Sequence, residues 1–425
     1  MSEYRRRIAD GLLQKKLQSK GAVLIEGPKW CGKTTTAEQA AASILYMDEP
    51  RKIRQNLMRA DTDPESLLEG EPPRLIDEWQ LAPKLWDTIR FSVDHKRKFG
   101  LYILTGSAVP GNMEEIHHTG TGRFSWLKMR PMSLYESGES SGDVSLSELF
   151  SASNAPVRGF ADLSLKKVAF LICRGGWPMA LDVPEDIALQ QAIDYYDAVV
   201  NEDISRVDGV RKDNTYVRCL MRSYARNQGG QVSIDTIVSD LNENEGSDPC
   251  SKTAANYIKT LKKIFVIEDM EAWNPNLRSK TAIRTSDTRY YVDPSIAAAA
   301  LGIGPGDLLD DLETMGLMFE TMAVRDLRVY ADALDAAVYH YRDKSGLECD
   351  AVLHRRNGSY GLIEIKLGGD KLIEEGAASL KKLAGKIDTD KMKAPSFLMV
   401  LTANGDTAYR RTDGVIVVPI GALKP

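Results

Sequence analysis

Ala22-Val23-Leu24-Ile25-Glu26-Gly27-Pro28-Lys29-Trp30-Cys31-Gly32-Lys33-Thr34-Thr35 is the stretch on which the fold turns. A run of strand character passes straight into Gly27–Thr34, which fits G-x-x-x-x-G-K-[ST], and a helical segment, TTAEQAAASIL, follows. A strand, a glycine-bearing loop and a helix in that order build a phosphate cradle. Gly27 and Gly32 let backbone N–H groups turn inward, and the helix offers its positive N-terminal end to the same anion. Gly27, Pro28, Lys29, Trp30, Cys31, Gly32, Lys33, Thr34 and Thr35 are therefore expected to line an ATP site. Lys33 is the expected catalytic cation on the β- and γ-phosphates, and Thr34 the expected Mg²⁺ ligand.

Outward from this loop, residues 21 to 135 alternate short apolar runs (AVLIEG, RLIDE, LYILTG) with helical stretches, the pattern of a parallel sheet wrapped by helices. Arg74-Leu75-Ile76-Asp77-Glu78 is an apolar strand ending in two carboxylates. Asp77 is expected to hold Mg²⁺ through water, and Glu78 to orient and deprotonate the attacking water. Leu101–Leu104 ends in Thr105-Gly106-Ser107, at the strand end where ligands of such sheets gather, so Thr105 or Ser107 is expected to sense the γ-phosphate. Arg123, in GTGRFSWLKMRP, is the candidate for stabilising charge on the transferring phosphoryl group, in its own chain or a neighbouring one. The alternative is a surface arginine, or one paired with a carboxylate.

The chain has 425 residues, 43% hydrophobic, 7% aromatic and 27% charged, enough for roughly three cores at about 150 residues each and unlike a disordered chain. Fifty-five basic against 60 acidic side chains give a net charge of −5, so any nucleic-acid surface is a local patch. The five cysteines, Cys31, Cys173, Cys219, Cys250 and Cys349, form no C-x-x-C pair, which points to a reducing cytoplasm. The basic N-terminus reads as an amphipathic helix with no apolar stretch behind it. No run of 18 apolar residues offers a membrane span.

The expected class is α/β in four parts: a P-loop ATPase domain over 1–136, a linker and helical region over 137–213, a winged helix-turn-helix over 214–302, and a second α/β domain over 303–425. The stretch ESGESSGDVSLSELFSASNAPVRG has the composition of a loop or linker. In the third part three short helices precede two strand-like runs, IFVIEDMEAW and RYYVD, around a polar tip. Ala254, Ile258, Leu261 and Phe265 share one helix face and leave Lys252, Asn256, Lys259 and Lys263 on the other, which suits a recognition helix on DNA and equally any surface helix.

GPKWCGKTT, RLIDEWQ, ILTGSA, GRF and RPMSLYE, in this order and spacing, resemble a family of bacterial and archaeal AAA-type ATPases that carry a C-terminal domain of unknown function. GGWP near residue 175 and RYYVDPSIAAAALG near residue 290 extend the resemblance over nearly the whole chain. That family usually has Arg where Lys29 stands and a small or aliphatic residue in place of Cys31. The resemblance implies an AAA-type ATPase core, a winged-helix middle and a restriction-endonuclease-like C-terminal fold.

In the last domain Asp350 lies on one expected strand and Glu364-Ile365-Lys366 on the next, with Glu320 on the preceding helix. Strand alternation puts Glu364 and Lys366 on one face and Ile363, Ile365 and Leu367 toward a core. The pattern resembles the D-(D/E)xK nuclease core, in which Asp350, Glu364 and Glu320 would bind Mg²⁺ or Mn²⁺ and Lys366 would position water or stabilise charge on the phosphate. Asp350, Glu364 and Lys366 are thus candidate catalytic residues. A Glu-x-Lys ion pair on a solvated strand face is the plain alternative. Three functions remain open from sequence: an ATPase controlling a metal-dependent nuclease or DNA-binding module; a nucleotide switch whose C-terminal domain is a non-cleaving protein platform, as a homo-oligomer or with a protein partner; or a protein whose ATPase motifs bind nucleotide without turning it over.

Overall fold

In the computed structural model, residues 4–107, 119–151, 156–206, 212–246, 250–276, 278 and 283–425 are described, and they group into two compact units. The first comprises Met1–Pro131, Asn201–Lys212 and Lys259–Val266. Helix α1 (Ile8–Leu17) leads into β1 (Ala22–Glu26), the P-loop and α2 (Lys33–Ala40). There follow β2 (Ser43–Tyr46), α3 (Ile53–Thr62), β3 (Arg74–Asp77), α4 (Leu85–Lys96), β4 (Tyr102–Gly106) and β5 (Phe124–Lys128). The sheet runs β2-β3-β4-β1-β5 with every pairing parallel.

Period-two alternation divides β1 between two cores. Ala22 and Leu24 pack with Ile76, Leu104, Trp86 and Phe124 on one face, while Val23 and Ile25 pack with Leu75, Ile103, Leu13 and Leu17 on the other. A sheet covered on both faces needs near-continuous apolar strands, which is why AVLIE and LYIL read so clearly. Because all strands point the same way, the loops after β1, β3 and β4 emerge on one edge.

The second unit comprises Met132–Val200, Asp213–Ile258 and Ile267–Pro425. It opens with α5 (Leu134–Ser137), whose N-terminus is closed by a Ser133–Glu136 capping box. Then come β6 (Val144–Ser145), α6 (Leu146–Ser151) and β7 (Gly159–Phe160). The polar stretch that reads as a linker is thus partly built into the unit. Its serines satisfy chain-terminal backbone carbonyls: Ser140 Oγ donates to Leu423 O at 2.7 Å, and Ser145 Oγ to Pro425 O at 3.0 Å. A Ser/Gly composition does not separate that use from a solvated loop.

Helices α7 (Leu165–Arg174) and α8 (Glu185–Ala198), a π-helical turn over Val199–Asp203 and α9 (Ile204–Arg206) lead to α10 (Asn214–Arg226), α11 (Ile234–Glu245) and α12 (Ser251–Lys263). Ala254, Ile258, Leu261 and Phe265 are buried, and Lys252, Asn256 and Lys259 exposed, as the helical spacing expects. In place of two full strands, the described residues carry two antiparallel bridges, Ile267–Tyr291 and Met270–Thr288. The expected wing tip lies partly outside the described residues.

Helices α13 (Pro294–Leu301), α14 (Pro305–Asp310) and the 22-residue α15 (Leu312–Ala333) precede a seven-stranded sheet. Its later elements are β8 (Ala336–Arg342), β9 (Glu348–Arg355), β10 (Tyr360–Lys366), α16 (Asp370–Lys386), β11 (Phe397–Thr402), β12 (Thr407–Arg410) and β13 (Ile416–Pro419). The order is β7-β12-β13-β11-β10-β9-β8, parallel from β10 through β11 to β13 and antiparallel elsewhere. Residues Leu423–Lys424 form β14, which pairs with β6. The Arg355–Ser359 turn joins β9 to β10, with Gly358 at φ 82°.

Candidate functional site

The loop between β1 and α2 enters at Gly27 with φ 155° and leaves at Gly32 with φ 96°, a backbone path open to glycine. A Cβ on Gly27 would lie 2.0 Å from Met129 O, so the loop is seated hard against the end of β5. Trp30, between the glycines, takes φ 63° and is half exposed. Lys33 is buried, and its Nζ donates to Gly27 O at 2.9 Å and Pro28 O at 2.7 Å, folding the side chain back over the loop's own carbonyls. Cys31 is fully buried with Sγ 3.8 Å from Met129 O, turned into the core, while Thr35 is exposed.

Asp77 terminates β3 directly beside this loop. Its Oδ1 accepts from Thr34 Oγ1 at 2.8 Å and also from Thr105 Oγ1. Burial pushes the Asp77 carboxyl up, against the opposing pull of the Thr105 and Thr34 hydroxyls. A hydroxyl and a carboxylate converging from two elements are the hard oxygen donors that Mg²⁺ accepts, so the residues fit that ion. Glu78 follows at φ 54°, a left-handed conformation costing about 1–3 kcal/mol for a residue of this kind, of the sort found at functional sites. Its carboxyl is raised by burial and then by the charge of Asp77. Gln80 Nε2 donates to Glu78 Oε2, and Ser107 Oγ lies 3.4 Å from the same oxygen. Thr105 thus serves Asp77, and Ser107 faces Glu78.

Arg123 is elsewhere. Register pairs Ala22 with Phe124 and Glu26 with Lys128, so Arg123 precedes β5 at the edge of the sheet opposite to the P-loop. It is partly exposed and donates to Asp94 Oδ1 at 2.7 Å. The structure therefore does not bring Arg123 to the P-loop of its own chain.

Gln80, Arg7 and the partner of the expected loop residue Lys29 escaped the sequence reading. Gln80 stands two residues beyond Glu78 and is legible only as a polar side chain near the strand end. Arg7 is buried, and its guanidinium donates to Cys31 O at 2.7 Å and Arg130 O at 2.8 Å, stitching the segment before α1 to the P-loop and the end of β5. Lys29 Nζ lies 2.5 Å from Asp203 Oδ1.

Residues 19–138 match the family described as an AAA domain. This is a P-loop AAA-type ATPase domain. Residues 165–307 and 315–423 match two families described as domains of unknown function. Uncharacterized proteins of Mycobacterium bovis and Mycobacterium tuberculosis are each 23% identical over 364 residues, covering 85% of this chain and 74% of theirs. Among solved structures, a Walker-type ATPase of Pyrococcus abyssi aligns at TM-score 0.40 and 14% identity, covering 69% of this chain and 94% of that one. The ORC2 protein of Aeropyrum pernix aligns at TM-score 0.29 and 13% identity, covering 62% and 85%.

The C-terminal candidates also converge. Ile363 pairs with Ala351, so Asp350 and Glu364 fall one step beyond the last registered pair of β9 and β10. Lys366 Nζ sits 3.0 Å from Asp350 Oδ2 and 2.7 Å from Glu364 Oε2, and Ile365 N donates to Asp350 Oδ2 at 2.7 Å. Glu364 is buried, not solvated as an amphipathic strand face would leave it, because α16 lies over it: a Cβ on Gly376 would come within 3.3 Å of Glu364 Cβ. Burial, and then the charge of Asp350, push Glu364 up to about 8. Glu320 is likewise raised to about 8 by burial and then Asp350, and accepts from Tyr290 Oη.

The expected ligand set Glu320, Asp350 and Glu364 is not a ready-made cage. Among the described residues no group of three or more His, Cys, Asp or Glu side chains is gathered to hold a metal ion. The Lys366 ammonium lies between the two strand carboxylates, and Tyr290 engages Glu320. One feature still fits a cation: Glu364 Oε1 is buried without a hydrogen-bond partner among the described residues. No described helix is long and apolar enough to cross a membrane.

Proposed function

We propose that this ATPase domain hydrolyses ATP with Lys33, Thr34, Asp77 and Glu78 as its machinery, and that its nucleotide state controls a winged-helix and nuclease-like module acting on DNA. For hydrolysis, the supporting observation is the convergence of Thr34 and Thr105 on Asp77 beside Lys33. Lys33 donates to two carbonyl oxygens, and the oxygens of the β- and γ-phosphates would take over those donations. Gly27 through Thr35 would cradle the phosphates. Mg²⁺, when bound, supplies neutralisation of the charge that develops on the phosphoryl oxygens, and Thr34 and Asp77 would hold it. Glu78, oriented by Gln80, accepts the proton of the attacking water, with Ser107 positioned to sense the γ-phosphate.

For the C-terminal module, the observation that carries the reading is the meeting of Asp350, Glu364 and Lys366 at one strand end, with Glu364 Oε1 left without a hydrogen-bond partner among the described residues. In this reading a Mg²⁺ or Mn²⁺ ion would be held by Asp350 and Glu364, with Glu320 nearby, and would supply activation of water. Lys366 would stabilise charge on the scissile phosphate. The basic face of α12 is a candidate DNA contact. The second reading, a nucleotide switch with a non-cleaving protein platform, is favoured by the Lys366 ammonium, which already pairs with both carboxyl groups where a metal ion would stand.

Cleavage of supercoiled, linear and single-stranded DNA with Mg²⁺ or Mn²⁺, with and without ATP, separates the two. Cleavage by the wild type, lost in both Asp350→Ala and Lys366→Ala, is the expected outcome. Intact ATP turnover with no cleavage under any condition would replace the nuclease reading with the platform.

A further inference from the structure

Lys29 belongs to the P-loop, yet its charge is committed to a residue 174 positions away. Asp203 is itself buried, with its side chain 10% exposed against 42% for Lys29, so the pair consists of a fixed carboxylate and a loop cation that reaches to it. Asp203 closes the π-helical turn Val199–Asp203, a rare backbone form that concentrates at functional positions. Asn201–Lys212 groups with the ATPase unit although the chain on either side of it belongs to the second unit. Lys29 is also followed by Trp30 at φ 63°, a left-handed conformation uncommon for a residue with a side chain.

We propose that Asp203 is a positioning residue for the nucleotide, acting through Lys29. The carboxylate draws the loop's second lysine toward the 199–206 turn, and a bound triphosphate, carrying several negative charges, competes for the same ammonium. Nucleotide occupancy is thereby reported to the turn as loosening of the Lys29–Asp203 bond. The ligand class is a nucleoside triphosphate, with the diphosphate a weaker competitor because it lacks the γ-phosphate charge. The inference rests on Gly27–Thr35 cradling the phosphates.

Opposite signs for the two single substitutions distinguish this role from a structural one. Asp203→Asn removes a negative charge and frees Lys29 for phosphate, so the full-length protein should bind a non-hydrolysable ATP analogue about fivefold more tightly, with a smaller gain for ADP. Lys29→Met leaves the Asp203 charge without its partner and should weaken binding by a similar factor. The double variant should fall between them and depart from the sum of the single effects. Hydrogen exchange over residues 199–206 should rise when the analogue binds to the wild type and show no nucleotide dependence in Asp203→Asn.

Weaker binding in both single variants, or exchange in 199–206 indifferent to the analogue in the wild type, overturns the proposal. If Asp203→Asn fails to fold, the wild-type exchange and the sign of the Lys29→Met effect still decide it. Loss of binding in Lys33→Ala, run alongside, separates failure of the latch from failure of the cradle: a Lys33→Ala protein that binds the analogue as the wild type does removes the site on which the latch depends.

Discussion

Glu78 is a carboxylate asked to be a base in a setting that resists its charge. It is held by a left-handed backbone, touched by Gln80 and Ser107, and raised above the ordinary carboxylate range by burial and by Asp77. A base works only when deprotonated, so turnover should decline on acidification through this raised pKa, above the ~4.3 of an unperturbed glutamate. Glu78→Gln should retain ATP binding, lower kcat on the order of 10²–10⁴-fold and lose that acid limb. A kcat–pH profile for Glu78→Gln that keeps the wild-type acid limb would sink the assignment. Lys366 in the second unit shows the opposite balance. Burial alone would lower it, but the charges of Asp350 and Glu364 hold it well above an ordinary lysine, so it remains an ammonium throughout the working range.

At the scale of elements, the Gly175–Trp177 turn and the start of α13 form one buried joint. Asp293 accepts from Gly176 N at 2.9 Å and from Ser295 Oγ at 2.6 Å, and its Oδ2 lies 2.9 Å from Arg325 Nη1, with neither charged side chain more than 1% exposed. Gly175 has φ 73°, and a Cβ there would fall 2.4 Å from Ser295 Oγ, so the GGWP turn is a close-approach device as much as a helix stop. Asp293→Ala leaves Arg325 with Asp326 alone and should cost about 3–5 kcal/mol. Denaturant unfolding followed by circular dichroism measures this cost; Trp177, whose Nε1 donates to Ser295 at 2.9 Å, packs at the same joint. A loss under about 1 kcal/mol would show that the ion pair is not what holds it. The strands β1, β3, β4 and β8 to β11 were legible because each is a short apolar run bounded by turn residues, and α16 because a Lys-rich stretch with helical spacing of its apolar residues separates β10 from β11. So was the meeting of Asp350 with Glu364-x-Lys366, since period two fixes the strand faces. The Lys29–Asp203 pair, the Tyr290–Glu320 bond and the strands within the Ser/Gly-rich 137–163 stretch were not, because each depends on a partner far along the chain.

Across the whole molecule, the position of Arg123 has a consequence for assembly. A parallel sheet places its ligand-binding loops at one edge, and register puts Arg123 at the other, so any contact it makes with a γ-phosphate is with the nucleotide of another chain. Its present partner Asp94 is also at the surface, held in a pair that solvent screens and that a stronger anion displaces. If Arg123 serves a neighbouring site, specific ATPase activity should rise with protein concentration, and Arg123→Ala should reduce turnover on the order of 10³-fold. Complementation tests the geometry directly. Lys33→Ala cannot engage nucleotide but still offers Arg123, whereas Arg123→Ala retains an intact P-loop. Mixing the two inactive proteins should restore partial turnover at the Arg123→Ala subunits. Activity that is independent of concentration, with no recovery on mixing, would instead make Arg123 a surface arginine paired with Asp94 and leave the transition-state cation to be found elsewhere.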